Sequence, residues 1–404
     1  MNQYKKRVQR PKNNKPLKKS LTIGIVLATV IVLLIISPWS TMPDSYEPDR
    51  PGISQTPTPD PSTTPPPEPT SEPTSEPTPE PAPEPTPEPD VAFRNPLTGM
   101  PTEDDISRIR PVAIMLSNER AAQPMSGISR ASIVYEVLVE GGITRMMGIF
   151  QDYETVGNIG AIRSVRHYYA DIGQSYDAII MATGGSPLAL EVARDRGLTL
   201  FTESGRGQSL FVVNRTRIPG RNLERLHAVT TTGSRLTSRL PNYASRLTHE
   251  DDFVHALTFS DDATPVGGSS ANSVEVRFSS GKSSAFTYNA ERNAYTMRQF
   301  GSNFIDANNA TQVSFSNLII IRTPVSSLQG PYGGAGRRDM PTTGTGEGYF
   351  VHGGQTIEIN WSRPNNSSQF TYTHKDGTEL ILGRGSTYIG VIPSNTNEGR
   401  VTFE

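Results

Sequence analysis

The apolar positions of this chain fall into four unlike regimes. From Leu21 to Ser37 they are almost unbroken (LTIGIVLATVIVLLIIS), and from about Met42 to Asp90 they nearly vanish. Between Pro111 and Thr183 they gather into short runs closed by turn or charged residues, and beyond about Ser260 such runs are separated by Gly, Asn, Asp and Ser clusters. Each regime predicts a different kind of structure.

The third regime predicts strands over Pro111–Leu116, Ser132–Val139, Thr144–Gln151 and Asp177–Thr183. Helices are predicted over Ser164–Gly173 and Pro187–Arg196, the second with Ser186 as N-cap and proline at its first turn. Strands alternating with helices argue for an α/β domain over residues 93–259. Its last part is the least patterned, with a helix expected only over Thr231–Leu240. For residues 260–404 a mainly β domain is expected. Its strands are Val274–Phe278, Ala285–Asn289, Val313–Arg322, Thr356–Trp361, Phe370–His374, Glu379–Leu382 and Thr387–Val391, with Lys375-Asp376-Gly377 as a hairpin-type turn.

The first regime reads as a membrane segment. Residues 1–20 hold Lys5, Lys6, Arg7, Arg10, Lys12, Lys15, Lys18 and Lys19 without an acid. Residues 21–39 then supply a helix covering most of a ~30 Å hydrocarbon core. The basic flank predicts a cytoplasmic N-terminus and folded domains outside the membrane. A cleaved signal peptide is the rival reading, but Ser37-Pro38-Trp39-Ser40 offers no small-x-small cleavage site. Residues 40–92, with EPTSEPTSEPTPEPAPEPTPEP at their centre, predict an extended Pro-rich disordered linker. At ~3.1 Å per residue it would reach on the order of 100 Å.

Composition changes this picture in one respect. The chain has no cysteine, which excludes disulfides, thiolate metal sites, a cysteine nucleophile and a lipidated-Cys anchor. Its net charge of -2 averages a basic tail against an acidic linker, and with the basic run beside an apolar segment no nucleic-acid partner is expected.

Candidate chemistry concentrates between Tyr135 and Pro187. Glu136 and Glu140 are an even number of residues apart on one predicted strand, hence on one face and roughly 13 Å apart. That is too far for the paired carboxylates of a glycosidase, though a single glutamic acid with a raised pKa is chemically possible. Arg145 follows, and Arg163, Arg166 and His167 cluster at a predicted helix start, as an anion clamp or as partners of the glutamates. Gly184-Gly185-Ser186 forms a strand-to-helix turn suited to an anion or polar sugar. Trp361, Tyr372, His374 and Tyr388 read either as core or as a sugar-stacking face. No nucleophile elbow, zinc, phosphate-loop, dinucleotide or calcium motif occurs, so neither metal nor cofactor is expected.

The segments IVYEVLVEGGITRMMGIFQD, IGAIRSVRHYYADIGQSYDAII, GGSP, GEGYFVHGGQTIEINWSR and DGTELILGRGSTYIGVIP resemble the two-domain YerB-like family of bacterial envelope lipoproteins, in order and spacing, from about Asn95 to Pro393. The resemblance implies an α/β domain followed by a smaller β-rich one, displayed outside a Gram-positive-type membrane, and supplies no reaction. Family members often carry a lipobox cysteine, absent here. They also tend to have Pro-His-Asn near the end of the first domain, where this chain reads Pro219-Gly220-Arg221-Asn222.

The expected function is a membrane-anchored extracytoplasmic protein that binds an anionic or glycan envelope component through Glu136, Glu140, Arg145, Arg163, Arg166, His167, Gly184, Gly185 and Ser186, or that scaffolds envelope assembly. The alternative is a peptidoglycan-cleaving enzyme with Glu136 or Glu140 as general acid.

Overall fold

The computed structural model describes residues 93–404, which are mainly β with three short α-helices. The membrane segment, basic tail and Pro-rich linker expected before residue 93 lie outside the described residues. No helix among the described residues is long and apolar enough to cross a membrane.

In chain order the elements that matter are β1 (Val112–Ser117), β2 (Ile133–Leu138), β3 (Thr144–Phe150), α1 (His167–Ser175), β4 (Ile179–Ala182), α2 (Pro187–Asp195), β5 (Leu200–Thr202) and α3 (Gly233–Arg239). They continue with β6 (Ser273–Ser279), β7 (Lys282–Asn289), β8 (Ala294–Gln299), β9 (Asn317–Thr323), β10 (Gly344–His352), β11 (Gln355–Arg363), β12 (Thr371–His374), β13 (Thr387–Pro393) and β14 (Arg400–Phe403).

The main sheet has the order β11-β10-β9-β13-β2-β3-β1-β4-β5, with β12 and the short strand Ser269–Ser270 both paired to β11. Its junction is the parallel pair β13 and β2, in register from Thr387 opposite Ile133 to Val391 opposite Val137. Strands from the two ends of the described chain therefore form one continuous sheet. β1 and β2 are buried at every position, as an unbroken apolar run on a sheet covered on both faces requires. A second sheet is built on β8-β7-β6-β14.

Strand direction sets where polar groups collect. β9, β13 and β2 are mutually parallel, as are β1, β4 and β5, and β3 runs antiparallel to both β1 and β2. β11, antiparallel to β10 as β10 is to β9, points the same way, so seven strands have their carboxyl ends on one edge. In open sheets with parallel strands this edge is where ligands are bound, because loops there diverge around exposed backbone groups.

Two expectations are corrected in detail. α1 begins three residues later than expected because Ser164 and Val165 are held extended: Val165 N donates to Gly184 O at 3.0 Å and Ser186 N donates to Val165 O at 3.1 Å. The strand expected over Val313–Arg322 breaks at Ser316, so that Ser314–Phe315 joins β8 while β9 enters the main sheet.

Candidate functional site

Glu136 lies on β2 and is fully buried. Its Oε1 accepts from Asn118 Nδ2 at 2.8 Å and Thr144 Oγ1 at 2.6 Å, and its Oε2 accepts from Ser284 Oγ at 2.7 Å and the Tyr388 hydroxyl at 2.8 Å. Lys282 Nζ, itself buried, stands 3.5 Å from Oε1. Burial lowers the lysine pKa against the opposing pull of Glu136. Each carboxylate oxygen is thus satisfied internally, and the group faces no solvent.

Glu140 is not on that strand. β2 ends at Leu138, and Glu140 opens a single 3₁₀ turn through Gly142, in which Gly141 adopts a φ of 70°. The expected strand geometry relating the two glutamates therefore does not exist. Glu140 binds Arg166 in a two-pronged pair, with Nε to Oε1 at 2.7 Å and Nη2 to Oε2 at 2.9 Å. Burial pushes the Glu140 carboxyl up, but the Arg166 bonds and the charges of Arg166 and Arg145 more than offset this and hold it below its ordinary value. A general acid at neutral pH requires the opposite shift.

The carboxyl edge gathers the remaining predicted residues. Glu119 lies two residues beyond β1, Glu140 two beyond β2, Gly184 two beyond β4 and Glu203 one beyond β5. Arg145 is the second residue of the reversed strand β3, so it reaches the same edge. Arg163 pairs with Glu119 at 2.9 Å. Arg166 is the N-cap residue of α1, whose first turn carries neither an acid nor a side-chain cap. His167, the first residue of α1, meets Asp339 Oδ1 at 3.0 Å. Ser186 caps α2 by accepting from Ala189 N at 3.3 Å, and the Gly184-Gly185 turn is tied to Val165.

Arg145 stands apart from this paired network. It is 7% exposed, its Nη1 donates to Ser164 O at 2.7 Å, and its buried Nε finds no acceptor. Among the described residues no carboxylate forms an ion pair with it. Burial, then the neighbouring Arg166 and Arg163, lower its pKa to about 10. The charge of Glu140 opposes that lowering without touching the group, and a buried guanidinium with no directly bonded carboxylate is costly.

In two other concavities a central charge is paired. In a groove of about 600 Å³ lined by Arg322, Tyr349, Glu358, Trp361 and Lys375, the lysine pairs with Glu347 at 2.8 Å. In the cavity beside Asp177, both Arg246 and Arg110 hold that carboxylate. Of the aromatic face considered from sequence, Trp361, Tyr372 and Tyr388 are core at no more than 5% exposed, and His374 is half-buried.

Sequence reasoning missed Glu119, Arg338 and Asp339. Glu119 was accessible to it, because it sits just past a strand end as Glu140 does. Arg338 and Asp339 lie in a Gly-rich stretch without periodicity, and only the fold brings them to α1.

Two family models match the chain: "Protein of unknown function (DUF3048) N-terminal domain" over residues 97–242, and the corresponding C-terminal domain over residues 274–389. The chain is 28% identical over 304 residues to "Putative lipoprotein YerB" of Bacillus subtilis (strain 168), covering 74% of this chain and 86% of that one. The crystal structure of YerB from Bacillus subtilis superposes with a TM-score of 0.65 at 26% identity, covering 76% of this chain and 99% of that chain.

Proposed function

Since this chain belongs to the DUF3048 family in both its N-terminal and C-terminal domains, we propose that it is a cell-envelope protein that binds an anionic ligand at the carboxyl edge of its main sheet. The envelope setting is supported by similarity to a protein named as a lipoprotein and by the basic and apolar pattern of residues 1–39. With no cysteine to lipidate, the apolar segment is the anchor, and the α/β and β-rich halves are displayed outside the membrane through the Pro-rich linker.

The observation that carries the binding reading is Arg145, buried beside Ser164 with no carboxylate partner. An anion seated there would supply the direct partner that Glu140, bound to Arg166, does not. The enzyme alternative needs a protonated glutamate. Glu140 is held below its ordinary pKa and Glu136 is sealed in the interior, so binding is the better reading.

Thermal unfolding of the full-length protein at constant ionic strength tests it. Small oxyanions such as phosphate, citrate or acetate raise the Tm of the wild type, because a ligand that binds only the native state stabilises it by mass action. The shift disappears in Arg145→Gln. If no oxyanion moves the Tm beyond the matched chloride control, the reading fails.

A further inference from the structure

A separate cavity of about 430 Å³ lies where the loop after β1 meets the turn that follows β8. Arg120, Gln123 and Pro124 line it from the loop, and Phe300, Phe304 and Ile305 from the turn and the segment beyond. The loop is fixed from behind. Arg217 donates to Ala122 O and to Pro124 O at 2.8 Å, and Arg221 donates to Ala121 O at 2.8 Å and to Gln123 O at 3.1 Å. Two guanidinium groups thus grip four consecutive carbonyls. The facing segment is tied to the same loop by Ala307 N, which donates to Met125 O at 2.7 Å. Both sides of the cavity are therefore held in place by the protein itself.

Phe300 is the unexpected residue. Gln299 pairs with Ser302, so Phe300 and Gly301 make a two-residue hairpin turn, with φ of 53° and 78°. Asn, Asp or Gly ordinarily fills such positions, and a bulky side chain at positive φ is strained. Strain of this kind persists where the surroundings enforce it, and it gathers at binding sites. The ring centroid lies 4.5 Å from Lys282 Nζ and 5.5 Å from the Arg120 guanidinium carbon, and Arg120 Nη2 donates to Phe300 O at 2.7 Å. Lys282 faces Glu136 at 3.5 Å, whereas Arg120 forms no ion pair among the described residues. Glu119, beside it in sequence, is held by Arg163. Among the described residues no acid lines the cavity, and a second lining group is uncommitted, since Gln123 Nε2 is buried without an acceptor.

We propose that this cavity binds a small apolar carboxylate, with its body against Phe300, Phe304 and Pro124 and its charged end on Arg120. A few polar groups in an otherwise apolar concavity of this size are the usual make-up of a small-molecule site. One guanidinium matches the two coplanar oxygens of a carboxylate in a forked pair, and no neighbouring acid competes for it. The strained turn is what presents the aromatic ring to the ligand. None of the carboxyl-edge residues lines this cavity, so the inference stands apart from anion binding at Arg145.

Calorimetric titration of the full-length protein with 1-naphthaleneacetate and its neutral isostere 1-naphthaleneacetamide tests the inference. A phosphate buffer is used, so that any site taking small oxyanions is already filled. The acid is expected to bind at least about tenfold more tightly than the amide, a difference of about 1.4 kcal/mol. Arg120→Gln should bring the acid to the level of the amide, and the exposed position of Arg120 leaves the fold intact. Phe300→Gly suits the positive φ and removes the ring, and it should weaken both probes by about fivefold.

Equal binding of acid and amide to the wild type, or an acid preference that survives Arg120→Gln, would overturn the proposal. So would a failure of both probes to bind. A Phe300 that only braced the fold would lower the Tm of Phe300→Gly and leave the affinity of the folded variant unchanged, which also overturns it. None of these results touches the reading of Arg145.

Discussion

The Tyr388 hydroxyl donates to Glu136 Oε2 at 2.8 Å across 252 positions of sequence, on the two strands that join the halves of the main sheet. The same carboxylate also holds Ser284 from the second sheet and Asn118 from the end of β1. A fully buried carboxylate with a buried lysine 3.5 Å away is tolerable only because every oxygen is hydrogen-bonded. Removing it takes the counter-charge from Lys282, which keeps only Gln299, and an acceptor from Asn118, Thr144, Ser284 and Tyr388. Glu136→Ala is therefore expected to destabilise the fold by about 3–5 kcal/mol, and Tyr388→Phe by about 1.5–3 kcal/mol. Urea denaturation checks both. A loss below about 1 kcal/mol for Glu136→Ala would remove the carboxylate from its place as the link between the halves.

Acid stability follows from Asp177. Burial raises its pKa, but hydrogen bonds from His249 and Arg246 and the charges of Arg110 and Arg246 bring it down to about 2, from an ordinary 3.8. A depressed folded-state value means that stability is fully present above pH 3.8 and is lost as pH falls towards 2. The loss is roughly 2 kcal/mol over that window. Asp177→Asn should flatten this limb of the stability curve and lower stability at neutral pH. An unchanged slope between pH 4 and 2 would contradict the assignment.

His255 acts at higher pH with the same sign. Burial depresses its pKa below 6.5 while its Nε2 meets Ser107 O at 2.9 Å. Its contribution is complete above 6.5 and declines as pH falls through the depressed folded-state value. His255→Gln should reduce the drop in Tm between pH 7 and 5, measured by differential scanning calorimetry.

The parts of the fold that could be read from sequence are those where local pattern and final environment agree. β1, β2 and β3 are apolar runs because the sheet covers them on both sides, and Ser186-Pro187 marks the start of α2 by chemistry that needs no tertiary partner. β10 escaped notice because Gly344, Gly346 and Gly348 break its pattern. Gly346 is needed there: an added Cβ would stand 2.5 Å from Trp361 Nε1, so the tryptophan occupies the space a side chain would take. The candidate site was legible as a cluster of charged residues near strand ends, including Arg145, Arg163, Arg166 and Glu140. It was not legible which groups pair, because Glu119 with Arg163 and Asp339 with His167 are contacts fixed by the fold. Nor does local pattern show how Glu136 is satisfied, since its partners Ser284 and Tyr388 come from far along the chain.

On the anion-binding reading, Glu140 would compete with the ligand for Arg166. Its two-pronged pair lies partly exposed, with side chains 21% and 13% accessible. Glu140→Gln removes the negative charge from the edge and frees one guanidinium, so phosphate affinity should rise about threefold to tenfold, with less gain at high salt. An enzyme using Glu140 as its acid would instead lose activity on this substitution without tighter anion binding. Titration of the variant beside the wild type separates the two outcomes.

Asp306 offers a last test of how the halves are joined. It is fully buried and accepts from Gly127 N at 2.9 Å, Ser129 N at 2.9 Å, Ser129 Oγ at 2.6 Å and Asn308 N at 2.9 Å. Three of those donors belong to the loop before β2, so this carboxylate ties a loop of the later half to the earlier one. Asp306→Asn keeps the shape but turns an amide N–H₂ towards donors, and a loss of about 2–4 kcal/mol is expected. Because β13 and β2 share one sheet, that loss should be felt on both sides of the junction. Hydrogen exchange at Val137 and Ile319, in β2 and β9, should accelerate by similar factors. If only the amides around Gly127 and Ser129 lose protection, the halves open separately, and the continuous sheet does not make them one cooperative unit.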